Sequence, residues 1–201
     1  MNHKERMLKG LPYLSNEDGL FEERQRAKAL CYRINTCDPL DVDKRAEYLK
    51  ELLPNASDNI YIEPPFRCDY GTNIYIGDGF YSNYNLTVLD CARVIIGSNV
   101  LIGPNVCITT AGHPIHHLSR KKYEYADEIV IGNNVWIGAN VVINPGVIIG
   151  DNSVIGSGSV VTKNISSDSV AVGNPCKVIR RITDEDRKYY YKDRVFDVED
   201  Y

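Results

Sequence analysis

The sequence predicts an all-β solenoid: a parallel β-helix with an N-terminal helical subdomain, one extruded loop and a short C-terminal helix. Three observations predict it. Apolar residues recur every six positions through Ile96, Ile102 and Ile108, then through Ile131, Ile137, Ile143, Ile149, Ile155 and Val161. That period matches neither an α-helix nor a flat strand, so each short strand contributes one inward side chain that stacks on its equivalent a coil away. Gly97, Gly103, Gly132, Gly138, Gly150 and Gly156 follow the apolar residue directly, where a bend free of a Cβ is expected. Four places after the apolar residue stand Val100, Val106, Val135, Val141, Val147, Ser153, Ser159 and Ile165, mostly small or β-branched side chains that suit stacked parallel strands.

The expected elements run in order as a helical subdomain over residues 1–57, the β-helix over residues 58–182 with a loop extruded at about 109–129, and a C-terminal helix or tail over residues 183–201. Ala27, Leu30, Cys31 and Ile34 lie on one helical face. A second helix is expected with Asp38 as N-cap and Pro39 as first residue, its apolar stripe being Val42, Ala46, Leu49 and Leu53 and its stop Pro54. The face these helices share is too small to stand alone, so they should lean on the solenoid. Ile76 precedes Ile96 by 20 residues, so the register slips there and the start of the first coil is open by several residues. At the other end Thr183 is placed to cap a last helix whose first turn is acidic.

With 201 residues and 43% hydrophobic content, the chain is expected to form one domain with an appended subdomain. A net charge of −4 gives no global attraction to nucleic acid or to an anionic membrane, so an anionic ligand needs a local basic cluster. No apolar run approaches a transmembrane span and the charged N-terminus lacks a signal-peptide core, so a cytoplasmic protein is expected. The six cysteines include no CxxC pair and are expected to be reduced, core-filling thiols.

Ile108 and Ile131 are 23 residues apart, one short of a whole number of repeats, so the segment between them must leave the coil. Such an excursion usually lies on a functional surface. It holds three of the four histidines, in "GHPIHH", with His113 fixed between Gly112 and Pro114. A histidine there can accept a proton, bind a metal or sit in a solvated loop.

The beat of isoleucine and glycine resembles the hexapeptide-repeat superfamily, which implies a left-handed parallel β-helix of hexapeptide repeats. More specifically, "IEPPFRCDYGTNIYIG", "GHPIHH", "IGNNVWIGANVVINPGVIIGDNSVIGSGSVVTK" and "VGNPCKVIR" resemble the maltose/galactoside O-acetyltransferases in order and spacing. The resemblance implies transfer of an acetyl group from acetyl-CoA to a sugar hydroxyl, with no metal, in a homotrimer whose active sites lie between subunits. It places the catalytic base at His113, a hydrogen-bonding partner of acceptor and base at Asn83, and acceptor contacts at Asp69, Ser15 and Cys91, with Tyr125 walling the pocket. Ser15 and Cys91 stand where galactoside enzymes carry acids, which favours a glucose- or maltose-type acceptor over a galactoside.

For the donor, the resemblance implies contacts at Ser157, Thr162, Lys177 and Arg180 and the Ala139 backbone N–H as oxyanion donor; Lys163 adds charge nearby, and Trp136, the one tryptophan, either lines the same groove or caps a coil edge. A serine or antibiotic acetyltransferase on the same scaffold, a zinc enzyme and a non-catalytic binding module are the alternatives. Three histidines on one loop suit a converging zinc site poorly.

Overall fold

The structure, a computed structural model, describes residues 1–198; the last three residues of the expected tail lie outside them. Parallel strands wind into three faces of five, seven and five strands. Face one stacks Asn55–Ala56, Ile74–Ile76, Val94–Ile96, Ile129–Ile131 and Ile148–Ile149. Face two stacks Ile60–Ile62, Phe80–Ser82, Leu101–Ile102, Trp136–Ile137, Val154–Ile155 and Ser169–Val172, and ends on the antiparallel strand Lys177–Arg181. Face three stacks Phe66–Cys68, Leu86–Leu89, Cys107–Thr109, Val142–Ile143 and Val160–Val161. The nine in-phase residues from Ile96 to Val161 fill the interior, none more than 3% exposed. Ser153 and Ser159 are equally buried, and their hydroxyls donate to the carbonyls of Ser166 and Gly156.

The glycines after each isoleucine stand where a Cβ would clash, as expected, and the clash is with the stacked coil. Gly103 and Gly138 have ordinary negative φ, but a Cβ on either would lie 2.7 Å from a backbone nitrogen of the next coil, Ala139 or Ser157. They permit close stacking, and the left-handed backbone falls two residues later on asparagine, at φ 59° in Asn105 and 57° in Asn140. Asparagine tolerates that region and its amide bonds along the stack: Asn99 donates to Asn134, Asn134 to Asn152, and Asn152 to Asp168.

The expected slip in register is absent from the strands. Ile76 pairs with Ile96, Ser82 with Ile102 and Val88 with Ile108 in unbroken parallel ladders. The extra length sits in the first two corners from face three to face one, eight residues from Cys68 to Ile76 and eight from Val88 to Ile96, against six from Ile143 to Ile149 at the same edge. The long loop between Ile108 and Ile131 leaves from the same edge. The first coil begins at Asn55, which pairs with Tyr75.

Helices α1 (His3–Leu8), α2 (Leu20–Asn35) and α3 (Val42–Leu52) precede the coils. In α2 the expected face of Ala27, Leu30, Cys31 and Ile34 is buried against the first coil. Asn35 closes that contact, donating to the Phe66 carbonyl at 2.9 Å and accepting from its N–H at 2.8 Å, which satisfies a strand at the open end of face three. The start of α3 differs from the expectation. Asp41 is its N-cap, accepting from the Lys44 N–H, whereas Asp38 accepts from Leu40 N–H in the preceding turn. The helix therefore buries Arg45, Leu49 and Leu52 and leaves Val42 and Ala46 exposed; Arg45 donates to the Tyr61 hydroxyl at 2.7 Å.

The short C-terminal helix is a 3-10 helix, Asp184–Lys188, whose Asp186 carboxylate accepts from the Thr183 N–H. Beyond it the chain forms a hairpin of Tyr189–Tyr191 with Arg194–Val195 instead of extending the helix. The six cysteines are free thiols, with Cys31 and Cys68 facing each other at 3.9 Å between α2 and face three. No helix among the described residues is long and apolar enough to cross a membrane.

Candidate active site

The site grows from the edge where the corners are longest. Asp90 is fully buried there and organises the corner above it, accepting from the N–H groups of Asp69 at 3.0 Å, Tyr70 at 2.9 Å and Asn73 at 3.3 Å. Burial pushes its carboxyl up to about 6, against the pull of those donors. A carboxyl that titrates higher in the folded chain than unfolded holds an extra proton between the two values. Its contribution is therefore greatest below about pH 4 and falls as pH rises through about 6. Asp90→Asn is expected to flatten the slope of unfolding free energy between those pH values, read by denaturant titration. A slope equal to that of the unmodified chain would refute the assignment.

Asp69 and Cys91 meet beside Asp90, where the Cys91 thiol donates to the Asp69 carboxylate at 3.5 Å. Burial raises the Cys91 thiol far above its ordinary range, so it stays protonated, and burial also raises Asp69. Cys91 is only 4% exposed and engaged with Asp69, so it shapes that residue instead of offering a surface to an acceptor.

The loop begins with the short ladder of Ala111–Gly112 against Tyr125–Ala126. Gly112 is required by contact: a Cβ there would lie 2.5 Å from the Tyr125 ring. His113 follows at the neck of the loop and is exposed. It opens on a cavity of about 370 Å³, with residues 14–17 on one wall and residues 120–124 on the other. Ser15 thus shares a cavity with His113. Helix α4 (His117–Arg120) caps the loop, and the His116 and His117 rings stack at 4.8 Å.

Two residues that the sequence did not single out join these walls. Tyr13 forms a backbone bridge with Glu124, and its hydroxyl donates to the Glu124 carboxylate at 2.9 Å. Arg24 donates to the Ser15 carbonyl, to the Asn16 side-chain oxygen at 2.7 Å and to the Tyr70 hydroxyl at 2.9 Å. One guanidinium thereby fixes the Ser15 wall relative to the Asp69 corner. The Tyr70 hydroxyl lies 46 positions from Arg24 and Glu124 lies 111 from Tyr13, so no local pattern marks those two contacts.

The remaining predicted residues lie elsewhere. Asn83, Ala139 and Ser157 follow one another down the corner between faces two and three. Asn83 does not line the His113 cavity; its side-chain oxygen accepts from the Tyr84 N–H at 2.8 Å, and the amide ladder at that corner is Asn85 to Asn105 instead. The Ala139 N–H donates to the Ser157 hydroxyl at 3.1 Å, so it can meet a developing oxyanion only after Ser157 turns away. Trp136 points outward from face two, 55% exposed. Lys177 and Arg180 lie on the closing strand, and Arg180 makes a paired contact with Asp186 at 2.8 and 2.9 Å. Thr162 and Lys163 are exposed at the bottom of the edge that carries the loop. Lys163 and Lys177 are exposed, on different edges of the prism.

Fold and site together define a transferase of the hexapeptide-repeat kind, with a histidine-bearing loop extruded beside a cleft. Residues 6–56 match the maltose acetyltransferase hexapeptide capping motif, residues 128–163 the bacterial transferase hexapeptide of six repeats, and residues 93–115 the hexapeptide repeat of succinyl-transferase. The chain is 52% identical over 190 residues to the galactoside O-acetyltransferase of Escherichia coli, covering 94% of each. It is 53% identical over 184 residues to a putative acetyltransferase of Saccharomyces cerevisiae, covering 90% of this chain and 94% of the other.

A solved galactoside acetyltransferase in complex with coenzyme A superposes with a TM-score of 0.96 at 50% identity, over 98% of this chain and 100% of that one. A maltose O-acetyltransferase from Clostridium difficile gives 0.90 at 45% identity, over 92% and 99%. The chain belongs to the galactoside/maltose O-acetyltransferase family and is an acetyltransferase.

Arg24 is the positioning residue whose loss should be most selective. Arg24→Lys keeps the charge but cannot span three acceptors, so the Michaelis constant for the sugar is expected to rise about tenfold. That for acetyl-CoA should move by less than about twofold. Steady-state kinetics with each substrate varied separates the two, and equal changes in both would refute a role confined to the acceptor wall.

Proposed function

We propose that the chain moves an acetyl group from acetyl-CoA to a hydroxyl of a glucose- or maltose-type sugar in the cytoplasm, with His113 as general base. The observation that carries this reading is His113 at the mouth of a cavity that also presents Ser15, fixed by Arg24 relative to Asp69. A sugar hydroxyl is a weak nucleophile, and its attack on a thioester is eased if its proton leaves as the C–O bond forms. His113 takes that proton and returns it to the departing thiolate as the C–S bond breaks, so the imidazole ends as it began and no acyl-enzyme is required. In this reading Asp69 and Tyr125 serve the acceptor. Ala139, Ser157, Thr162, Lys163, Lys177, Arg180 and Trp136 serve the donor.

We further propose that the enzyme works as a homotrimer with sites between subunits. His113, Asp69 and Ser15 gather at one edge of the prism, while Asn83, Ala139 and Ser157 descend the next. A neighbouring copy supplies what one chain keeps apart. Face two supports this with an outward apolar column of Tyr61, Tyr81, Leu101, Trp136, Val154 and Val170 in unbroken register. Tyr61, Leu101 and Trp136 in that column are exposed in the single chain.

Release of coenzyme A thiol across an acceptor panel tests the assignment. Glucosides and maltose are expected to exceed galactosides, serine and antibiotics in kcat/KM. Faster turnover of serine or an antibiotic would overturn the acceptor class, and a monomer in sedimentation would overturn the shared site.

A further inference from the structure

Helix α2 is fastened to its surroundings at both ends of one face, and two thiols meet between the fastenings. Arg24, Cys31 and Asn35 are seven and four residues apart, which sets all three on the same side of the helix. Arg24 holds the Ser15 carbonyl and the Tyr70 hydroxyl. Asn35 exchanges two hydrogen bonds with Phe66. Between them Cys31 faces Cys68, the last residue of strand Phe66–Cys68, sulfur to sulfur at 3.9 Å. The residue after Cys68 is Asp69, whose N–H donates to Asp90.

This pair is unlike the other thiols. Cys37 donates to the Asp41 carbonyl at 3.6 Å and Cys91 to the Asp69 carboxylate at 3.5 Å, and among the described residues no other two sulfurs are hydrogen-bonded. Cys31 and Cys68 lie buried in the same core, and acetyl transfer uses neither. Sharing one hydrogen makes them unequal. Donation from Cys68 holds the Cys31 thiol below its ordinary range, while the same contact and burial hold Cys68 above it. An easily ionised thiol beside a protonated one suits an attacking and a resolving cysteine.

We propose that Cys31 and Cys68 are a redox modification site, closing to a reversible disulfide under peroxide and drawing α2 onto face three so that sugar binding weakens. The Cys31 thiolate attacks one peroxide oxygen and the O–O bond breaks, leaving a sulfenic acid on Cys31; the departing hydroxide takes up the proton that Cys31 released. The Cys68 sulfur then attacks the sulfenic sulfur, and its S–H proton leaves with the displaced hydroxyl as water. Two thiols give up two electrons and two protons, and one peroxide becomes two waters. A disulfide holds its sulfurs at about 2.05 Å, so those of Cys31 and Cys68 must approach each other. Asn35, one turn further on, pins the helix to Phe66, and the displacement therefore falls on the other end, where Arg24 sets the Ser15 wall. In a reducing compartment such a bond is transient and reports oxidation. The covalent step goes beyond the acetyl-transfer reading, whereas its effect on sugar binding rests on that reading.

The test exposes the reduced, full-length enzyme to hydrogen peroxide, removes the oxidant, and maps the thiols by mass spectrometry of an unreduced digest. A linked Cys31–Cys68 peptide short by two hydrogens is expected. The Michaelis constant for the sugar should rise about fivefold and that for acetyl-CoA move by less than about twofold. Dithiothreitol should reverse both the link and the kinetic change. Cys31→Val and, separately, Cys68→Ala should transfer acetyl like the reduced enzyme and no longer respond to peroxide. The inference is overturned if Cys37 oxidises while Cys31 and Cys68 stay unlinked, if the link leaves the sugar constant unchanged, or if the response survives Cys31→Val. Should either variant fail to fold, the linked peptide and the kinetics of the unmodified chain still decide. A reduced enzyme that transfers to no sugar would instead defeat the acetyl-transfer reading, and the linked peptide would judge the disulfide by itself.

Discussion

His113→Ala is expected to lower acetyl transfer by about 10²-fold or more, with acetyl-CoA affinity changed by less than about threefold. The imidazole is exposed at the neck of the loop and lines the cleft, so its removal leaves no buried partner stranded and no hole in the core. The loss should therefore fall on turnover and spare folding. The exponent follows from proton removal alone, since a positioned base typically contributes about 10²- to 10⁴-fold. Binding of the donor should persist because Ala139, Ser157 and Lys177 do not line the cleft that His113 lines. Single-turnover transfer, paired with calorimetric titration of coenzyme A, checks both parts. Turnover within a factor of three of the unmodified enzyme would remove His113 from the mechanism.

Ile137→Ala should cost about 2 to 5 kcal/mol of stability, which for a chain of this length corresponds to a fall in Tm of about 10 °C. Ile137 is wholly buried and sits between Ile102 and Ile155 in the face-two ladder. Neither neighbour can move into the void, because each is held by its own backbone ladder and by glycine corners stacked too closely to admit a Cβ. Trp136, one residue earlier but pointing outward, provides the contrast. Trp136→Ala should leave the monomer's core intact and act instead on subunit association. Thermal melts at several protein concentrations distinguish the two: the Ile137 change persists at every concentration, whereas the Trp136 change grows on dilution.

The interior of the solenoid was legible because its period is carried by single residues. Ile96 to Val161 could be counted without knowing a contact, and every one is buried. The face of α2 was legible for the same reason, and Leu49 and Leu53 of the α3 stripe are buried as expected, while the start of α3 was misplaced because Asp38, a good cap by type, serves a turn just ahead of it. At the corners the need for a missing Cβ was legible, but not which atoms it would strike. A glycine that avoids a neighbouring backbone and a glycine that permits a left-handed turn look alike in sequence, and only the stack reveals which is which.

The candidate site divided along similar lines. His113 is marked by its place in a break of the repeat, and Ser15 and Asp69 by resemblance. Arg24 reaches Tyr70, and Tyr13 reaches Glu124, across 46 and 111 positions, so no spacing could announce those contacts. Asp90 had a usable signal: it stands in one of the two eight-residue corners, where the beat lengthens without breaking.

Those corners also bear on how the scaffold can diverge. A coil may take two additional residues, or a whole excursion, at the edge from face three to face one, and the next strand still returns to its partner. Surplus chain is thus vented along a single seam while the isoleucine column never senses it. New loops spliced into that seam could recast what the protein accepts, leaving the hydrophobic spine as indifferent to the exchange as a mast is to a change of sail.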